Sequence, residues 1–217
     1  MIRFENVTKF FRTKQHKKIV LDHVSTEFCS GSSYAIIGVN GAGKSTTMRL
    51  IAGTMLPNSG RIKKDLRVSW PLGFSGGFHP QMTGRDNLNF VSRAYGENIV
   101  RVSRFVEEFA ELGDYINAPV KTYSSGMMAR FAFGLSMAIE FDCYLIDEIT
   151  AVGDARFQER CKNAFEQRRK NADLIVISHG METVKAYCDK GMVLVDGRLI
   201  VFDNIDHAIS AYYRLNR

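Results

Sequence analysis

Residues 38–46 read Gly-Val-Asn-Gly-Ala-Gly-Lys-Ser-Thr, a complete GxxxxGK[ST] pattern set between an apolar tetrapeptide and a helical stretch. The spacing has a physical cause. Gly38, Gly41 and Gly43 let backbone N–H groups curl around the α/β-phosphates of a nucleotide, and Lys44 reaches the β/γ oxygens. The Ser45 hydroxyl is then placed to sit on Mg²⁺ at the positive end of the following helix. The flanks agree, since Tyr34 to Ile37 reads as a buried strand and Thr46 to Ala52 as a helix stopped by Gly53. The candidate nucleotide contacts in this loop are Gly38, Asn40, Gly41, Ala42, Gly43, Lys44, Ser45 and Thr46, and the ligand they imply is a nucleoside triphosphate.

The 217 residues are 45% hydrophobic and 24% charged, the balance of a soluble globular protein that most simply makes one domain. A net charge of +6 points to an anionic neighbour, either the inner membrane leaflet or nucleic acid. Basic residues cluster at Arg12 to Lys18 and at Arg168-Arg169-Lys170. Aromatic residues are not interleaved with them as on a base-stacking platform, so no nucleic-acid partner is expected. Cys29, Cys143, Cys161 and Cys188 form no CxxC pair or metal-ligand spacing, which suits a reducing compartment. Met1 to Val7 reads as a strand rather than a signal peptide. The longest apolar stretch, Phe131 to Ile139, is far short of the ~20 residues that cross a bilayer, so a membrane role is expected to run through a partner.

Along the chain, Ile2 to Val7 and Ile19 to Phe28 read as strands joined by a basic loop, and Pro57-Asn58-Ser59-Gly60 as a turn before a short strand around Arg67 to Trp70. Residues 71–84 hold too many glycines and prolines for regular structure. From Arg85 to about Ile139 the pattern is helical, with Val102, Phe105, Val106 and Phe109 at three-to-four spacing and Pro119 dividing the stretch. Strand and helix then alternate: a strand at Cys143 to Ile146, a helix after Asp154, and a strand at Leu174 to Ile177. A hairpin turning at Asp196-Gly197 follows, and Asn204 caps a last helix to about Arg214. The expectation is an α/β core of about 1–75 and 141–217 interrupted by a helical insert of about 76–140.

Further motifs follow the loop in order. Tyr144-Leu145-Ile146-Asp147-Glu148 is an apolar strand ending in two acids, where Asp147 can orient Mg²⁺ and Glu148 can polarise an attacking water. Tyr123-Ser124-Ser125-Gly126-Met127 precedes a helix, Ala151-Val152-Gly153-Asp154 follows the acidic strand, and His179 follows the next one. In this order the chain resembles the ATP-binding-cassette (ABC) ATPases over essentially its whole length. The three motifs are similar to that family's signature motif, D-loop and switch histidine.

The resemblance implies a P-loop NTPase fold of the ABC type, with a RecA-like core, N-terminal antiparallel strands and an inserted helical subdomain. It implies that either Phe11 or Phe10 stacks on adenine, and that two copies of the chain meet head to tail. Ser124, Ser125 and Gly126 of one copy would close over the γ-phosphate held by Lys44 of the other. Glu148 and His179 would serve the attacking water and γ-phosphate, and Asp154 would couple the two sites. ATP and Mg²⁺ are the cofactors so implied. The chain departs from the family at Ser125, where glycine is usual, and at Met127, where glutamine is usual. The Q-loop also lacks its glutamine at the usual place, with Gln81 and Ser75 the nearest polar candidates.

Residues 69–87, rich in glycine and aromatic side chains, and the ending Asp206 to Tyr213 resemble the ATPases of bacterial polysaccharide exporters. The closest look is to the capsular polysaccharide group, with O-antigen and teichoic acid exporters behind it. That implies two copies of an integral membrane permease as partner, a lipid-linked polysaccharide as cargo, and a place on the cytoplasmic face of the inner membrane.

Overall fold

The computed structural model describes residues 1–13, 16–72, 76–147, 154–178 and 180–215. In chain order its elements are β1 (Ile2–Arg12), β2 (Lys17–Phe28), β3 (Tyr34–Ile37), α1 (Lys44–Ala52), β4 (Ser59–Lys64) and β5 (Val68–Pro71). Then come α2 (Gly84–Ala94), α3 (Ile99–Ala110), α4 (Ser125–Ala138), β6 (Cys143–Asp147), α5 (Ala155–Arg168) and β7 (Asp173–Ile177). The chain closes with α6 (Met181–Tyr187), β8 (Lys190–Val195), β9 (Arg198–Phe202) and α7 (Ile205–Leu215). They form two compact units, one of Met1–Pro71, Phe141–Ile149 and Ala172–Arg217, the other of Leu72–Glu140 and Thr150–Asn171.

In the first unit, two sheets among the described residues are ordered β2-β1-β4 and β5-β6-β7-β3-β8-β9. The smaller is antiparallel. In the larger, β3, β5, β6, β7 and β8 run parallel and β9 turns back antiparallel to β8. All of β3 is buried, as expected of a strand covered on both faces of a parallel sheet. Ile2, Phe4 and Val7 of β1 and Leu21, Val24 and Phe28 of β2 share one core with Ile36 of β3 and Met48 and Ile51 of α1. Phe28 bridges Phe4 (5.8 Å) and Tyr34 (5.2 Å). The hairpin turn at Asp196-Gly197 takes φ of 46° and 76°, the left-handed pair that such a turn needs.

Two sequence expectations are corrected. The turn placed at residues 57–60 gives way to β4, which starts at Ser59 and pairs with β1. Its side chains are exposed except for half-buried Ile62, so it carries no apolar alternation to read. Of the basic stretch from Arg12 to Lys18, Arg12 ends β1 and Lys17 and Lys18 open β2, so these three stand on strands rather than in the joining loop. The short helix α6 was not foreseen.

The second unit groups α5 with α2, α3 and α4. The α5 guanidiniums supply a physical reason. Arg160 donates to Phe109 O (2.9 Å) and Glu111 Oε1 (2.6 Å), and Arg168 donates to Met137 O (2.8 Å). Between them Phe109 rests against Phe105, Phe133 and Phe157, at ring separations of 5.5, 6.0 and 5.4 Å. Each helix starts on a side-chain cap: Thr83 for α2, Asn98 for α3, Ser124 for α4 and Asp154 for α5.

Candidate nucleotide-binding site

The phosphate loop leaves the carboxyl end of β3, which lies between β7 and β8, and runs into α1. In open α/β sheets ligands bind outside the carboxyl ends of the strands, and that is where the cleft lies. A cavity of about 590 Å³ is lined there by Asn40, Gly41, Gly43, Lys44, Ser45 and Thr46 of the loop. Asp147 and Ile177, the last residues of β6 and β7, form part of its wall, and Phe11, Lys18 and Val20 of the N-terminal hairpin form another part.

The glycines are required by contact as well as by conformation. A Cβ on Gly38 would stand 2.7 Å from Leu194 O. At Gly43, with φ of +112°, it would overlap Val20 Cγ1. Gly43 is also the N-cap of α1 and offers no side-chain acceptor, and the first turn, Lys44-Ser45-Thr46, holds no acid. No side chain caps the start of α1, and the helix dipole there favours an anion. Lys44 is 8% exposed, and its ammonium donates to Gly38 O (2.7 Å) and Val39 O (3.1 Å).

The donor set fits a hard divalent cation. The Ser45 hydroxyl and the Asp147 carboxylate line the same cleft, and oxygen ligands of this kind, completed by phosphate and water, suit Mg²⁺. Of the two aromatic candidates, Phe11 lines the cleft and is 44% exposed. Phe10 instead lies beneath the Lys17 ammonium, 4.4 Å from its ring centre. Glu148, His179, Ser75 and the stretch 151–153 lie outside the described residues.

Ser124, Ser125, Gly126 and Asp154 belong to the second unit. Ser124 caps α4, its Oγ accepting from Met127 N at 3.2 Å, and Ser124 and Ser125 are exposed. The amides of Ser125 and Gly126 thus stand at an open helix N-terminus. Asp154 Oδ1 accepts from Phe157 N (2.9 Å) and Oδ2 from Arg130 (2.8 Å). The Phe157 amide, with help from Arg130, holds the Asp154 carboxyl below its usual pKa. Gln81 is engaged by the Lys121 ammonium at 2.7 Å.

A phosphate loop that leaves a central parallel strand, with a carboxylate at the end of a nearby strand, defines a P-loop NTPase. The ABC transporter family profile matches residues 21–151, and the chain belongs to that family. Its similarity to curated relatives extends over nearly its whole length. It is 48% identical to the capsule polysaccharide export ATP-binding protein CtrD of Neisseria meningitidis serogroup B, over 99% of this chain and 100% of that one. It is 48% identical to the ATP-binding protein BexA of Haemophilus influenzae, over 98% of each chain. It is 46% identical to the polysialic acid transport ATP-binding protein KpsT of Escherichia coli, over 98% of this chain and 96% of that one. Among solved structures, an ATP-binding subunit of an ABC transporter superposes with a TM-score of 0.74 at 21% identity, covering 100% of both chains. The ATP-binding cassette MJ0796, solved as a dimer with ADP and Pi, gives 0.70 at 20% identity over 92% of this chain and 96% of that one.

Proposed function

We propose that this chain is the ATP-binding and ATP-hydrolysing subunit of an ABC transporter that exports capsular polysaccharide across the bacterial inner membrane. The observation that carries the reading is the cleft itself. It gathers the loop amides, Lys44, Ser45, Asp147 and Phe11 in a chain that matches capsule-export ATP-binding proteins nearly end to end. Phe11 stacks on adenine, the loop amides and Lys44 hold the phosphates, and Ser45 and Asp147 hold Mg²⁺. The bound Mg²⁺ supplies charge neutralisation on the β/γ oxygens. Glu148 polarises the attacking water and His179 holds it with the γ-phosphate.

Phosphoryl transfer asks mainly for positioning and charge stabilisation. A head-to-tail homodimer completes both, with Ser124, Ser125 and Gly126 of one copy presenting the α4 N-terminus to the γ-phosphate of the other. Asp154 couples the paired sites. Two copies of an integral membrane permease, with a lipid-linked polysaccharide as cargo, recruit the dimer to the cytoplasmic face of the inner membrane. No helix among the described residues is long and apolar enough to cross a membrane.

The test pairs two variants. Lys44→Ala should abolish nucleotide binding or turnover and, in cells, surface glycan. Glu148→Gln should keep ATP binding, trap a closed dimer detectable by light scattering, and stop hydrolysis. Normal ATP turnover by Glu148→Gln would refute the base assignment. Tight, salt-sensitive nucleic-acid binding without membrane recruitment would refute the transporter reading.

A further inference from the structure

We infer that Lys18 is a nucleotide-binding residue of this chain, its ammonium pairing with the phosphates of the bound nucleoside triphosphate on the side that the phosphate loop leaves open. This rests on the nucleotide-binding reading of the cleft. Lys18 lies outside the loop motif, on β2, and it reaches the site through strand register. In the antiparallel β1–β2 pair, Phe11 stands directly opposite Lys18, and opposed residues share a face of the sheet. The face that presents Phe11 to the cleft therefore presents Lys18 beside it, and both line the cavity.

Two contacts fix the height of β2 over the loop. Val20, which also lines the cavity, fills the space that Gly43 leaves by having no Cβ. The Lys18 Nζ lies 3.5 Å from the point where a Cβ on Gly41 would stand. The ammonium thus stands against the phosphate-binding backbone.

The neighbouring lysines are otherwise engaged. Lys17 lies 4.4 Å from the Phe10 ring centre, and Lys9 lies 5.4 Å from that of Phe11 while donating to Leu56 O. Among the described residues no hydrogen bond or ion pair falls to Lys18, so its charge stays available to a ligand. With one Mg²⁺ a triphosphate nucleotide keeps about two negative charges, against about one and a half from Lys44 and one helix terminus, so a further cation at this point still attracts it.

Lys18 is exposed, so water and salt screen the pairing and its contribution is that of a surface ion pair. Replacing it by Met should weaken ATP binding about two- to fivefold. Fluorescent ATP, ADP and adenosine analogues are titrated into the full chain at low and high salt, for wild type, Lys18→Met, Lys18→Glu, Lys18→Arg and Lys44→Ala. Lys18→Met should lose more affinity for ATP than for ADP and none for adenosine, and the loss should shrink at high salt. Lys18→Glu should lose more, and Lys18→Arg should restore binding to within about twofold. Unchanged ATP affinity in both Lys18→Met and Lys18→Glu overturns the inference. So does a loss that is equal for adenosine, which would assign Lys18 to the base. A wild-type chain that binds no ATP, or a Lys44→Ala chain that both binds and hydrolyses it normally, instead overturns the reading of the cleft.

Discussion

One buried amide helps to hold residues 79–83 before α2, alongside backbone bonds from Val120 and Lys121, and removing it makes a sharp test of what it contributes. Asn87 is 3% exposed. Its Oδ1 accepts from His79 N (2.8 Å), and its Nδ2 donates to Thr83 O (2.9 Å) and His79 O (3.2 Å). Asn87→Ala removes these contacts and leaves the His79 N–H without its acceptor, while His79 O keeps Met82 N (3.1 Å). Each such bond adds about 1 kcal/mol net and an unsatisfied buried group costs about 1–3 kcal/mol. Water entering the vacated space recovers part of this, which leaves an expected loss of about 2–4 kcal/mol. Helical circular dichroism in urea should show the shift in midpoint, and hydrogen exchange should show faster exchange at the His79 amide than at α3 amides.

Asn87→Asp sharpens the same test through its pH dependence. The substituted carboxyl still accepts from His79 but, when ionised, donates to neither carbonyl, and burial raises its folded pKa. Stability of this variant should be fullest below the unfolded carboxylate pKa of about 3.9 and should fall as pH rises toward the folded value. If Asn87→Ala stays within about 0.5 kcal/mol of wild type with unchanged His79 exchange, the argument fails.

Asp154→Ala should lower the stability of the α5 start at neutral pH. Because the folded Asp154 pKa is depressed below 3.8, its difference from wild type should hold above that value and close as pH falls through the folded pKa, as followed by acid titration of circular dichroism. A thiol reagent at pH 8 with mass mapping should label exposed Cys29 first, since burial pushes the thiols of Cys143, Cys161 and Cys188 up to about 12. Gly126→Ala should fold as stably as wild type and bind ATP as well, yet hydrolyse it at least tenfold more slowly, read from urea midpoints, analogue titration and phosphate release.

What could be read in the sequence is what local chemistry dictates. The apolar run Tyr34 to Ile37 is a strand because a strand covered on both faces has no polar positions. Gly53 ends α1 in the left-handed conformation, with its amide on Arg49 O and Leu50 O. Asn204 Oδ1 accepts from Asp206 N at 2.8 Å at the start of α7. What could not be read is set by distant pairing. β4 is a strand only because β1 lies beside it, and α6 buries only Val184, too little for a period to show. The site divides the same way. The loop from Gly38 to Thr46 is contiguous and therefore legible. The choice between Phe10 and Phe11, and the arrival of Lys18, depend on the β1–β2 register, which several bulges shift before it reaches the cleft.

The glycines of the two motifs separate what the chain needs for itself from what it offers to others. Gly38 and Gly43 are bare because Leu194 O and Val20 already occupy the space a side chain would take. Their replacement damages the first unit before any ligand is considered. Gly126 is different: a Cβ there would meet nothing nearer than Ser124 Oγ at 3.9 Å, and α4 would gain from alanine in place of glycine. Among the described residues, nothing in the packing calls for glycine at that position. A requirement for it has to come from a body that approaches the exposed amides of Ser125 and Gly126 closely, and a phosphate oxygen satisfies that condition with the α4 dipole behind it. On the proposed reading, the one-residue contrast between Gly43 and Gly126 would distinguish a residue that builds half of a site from one that closes over the half held by a second copy.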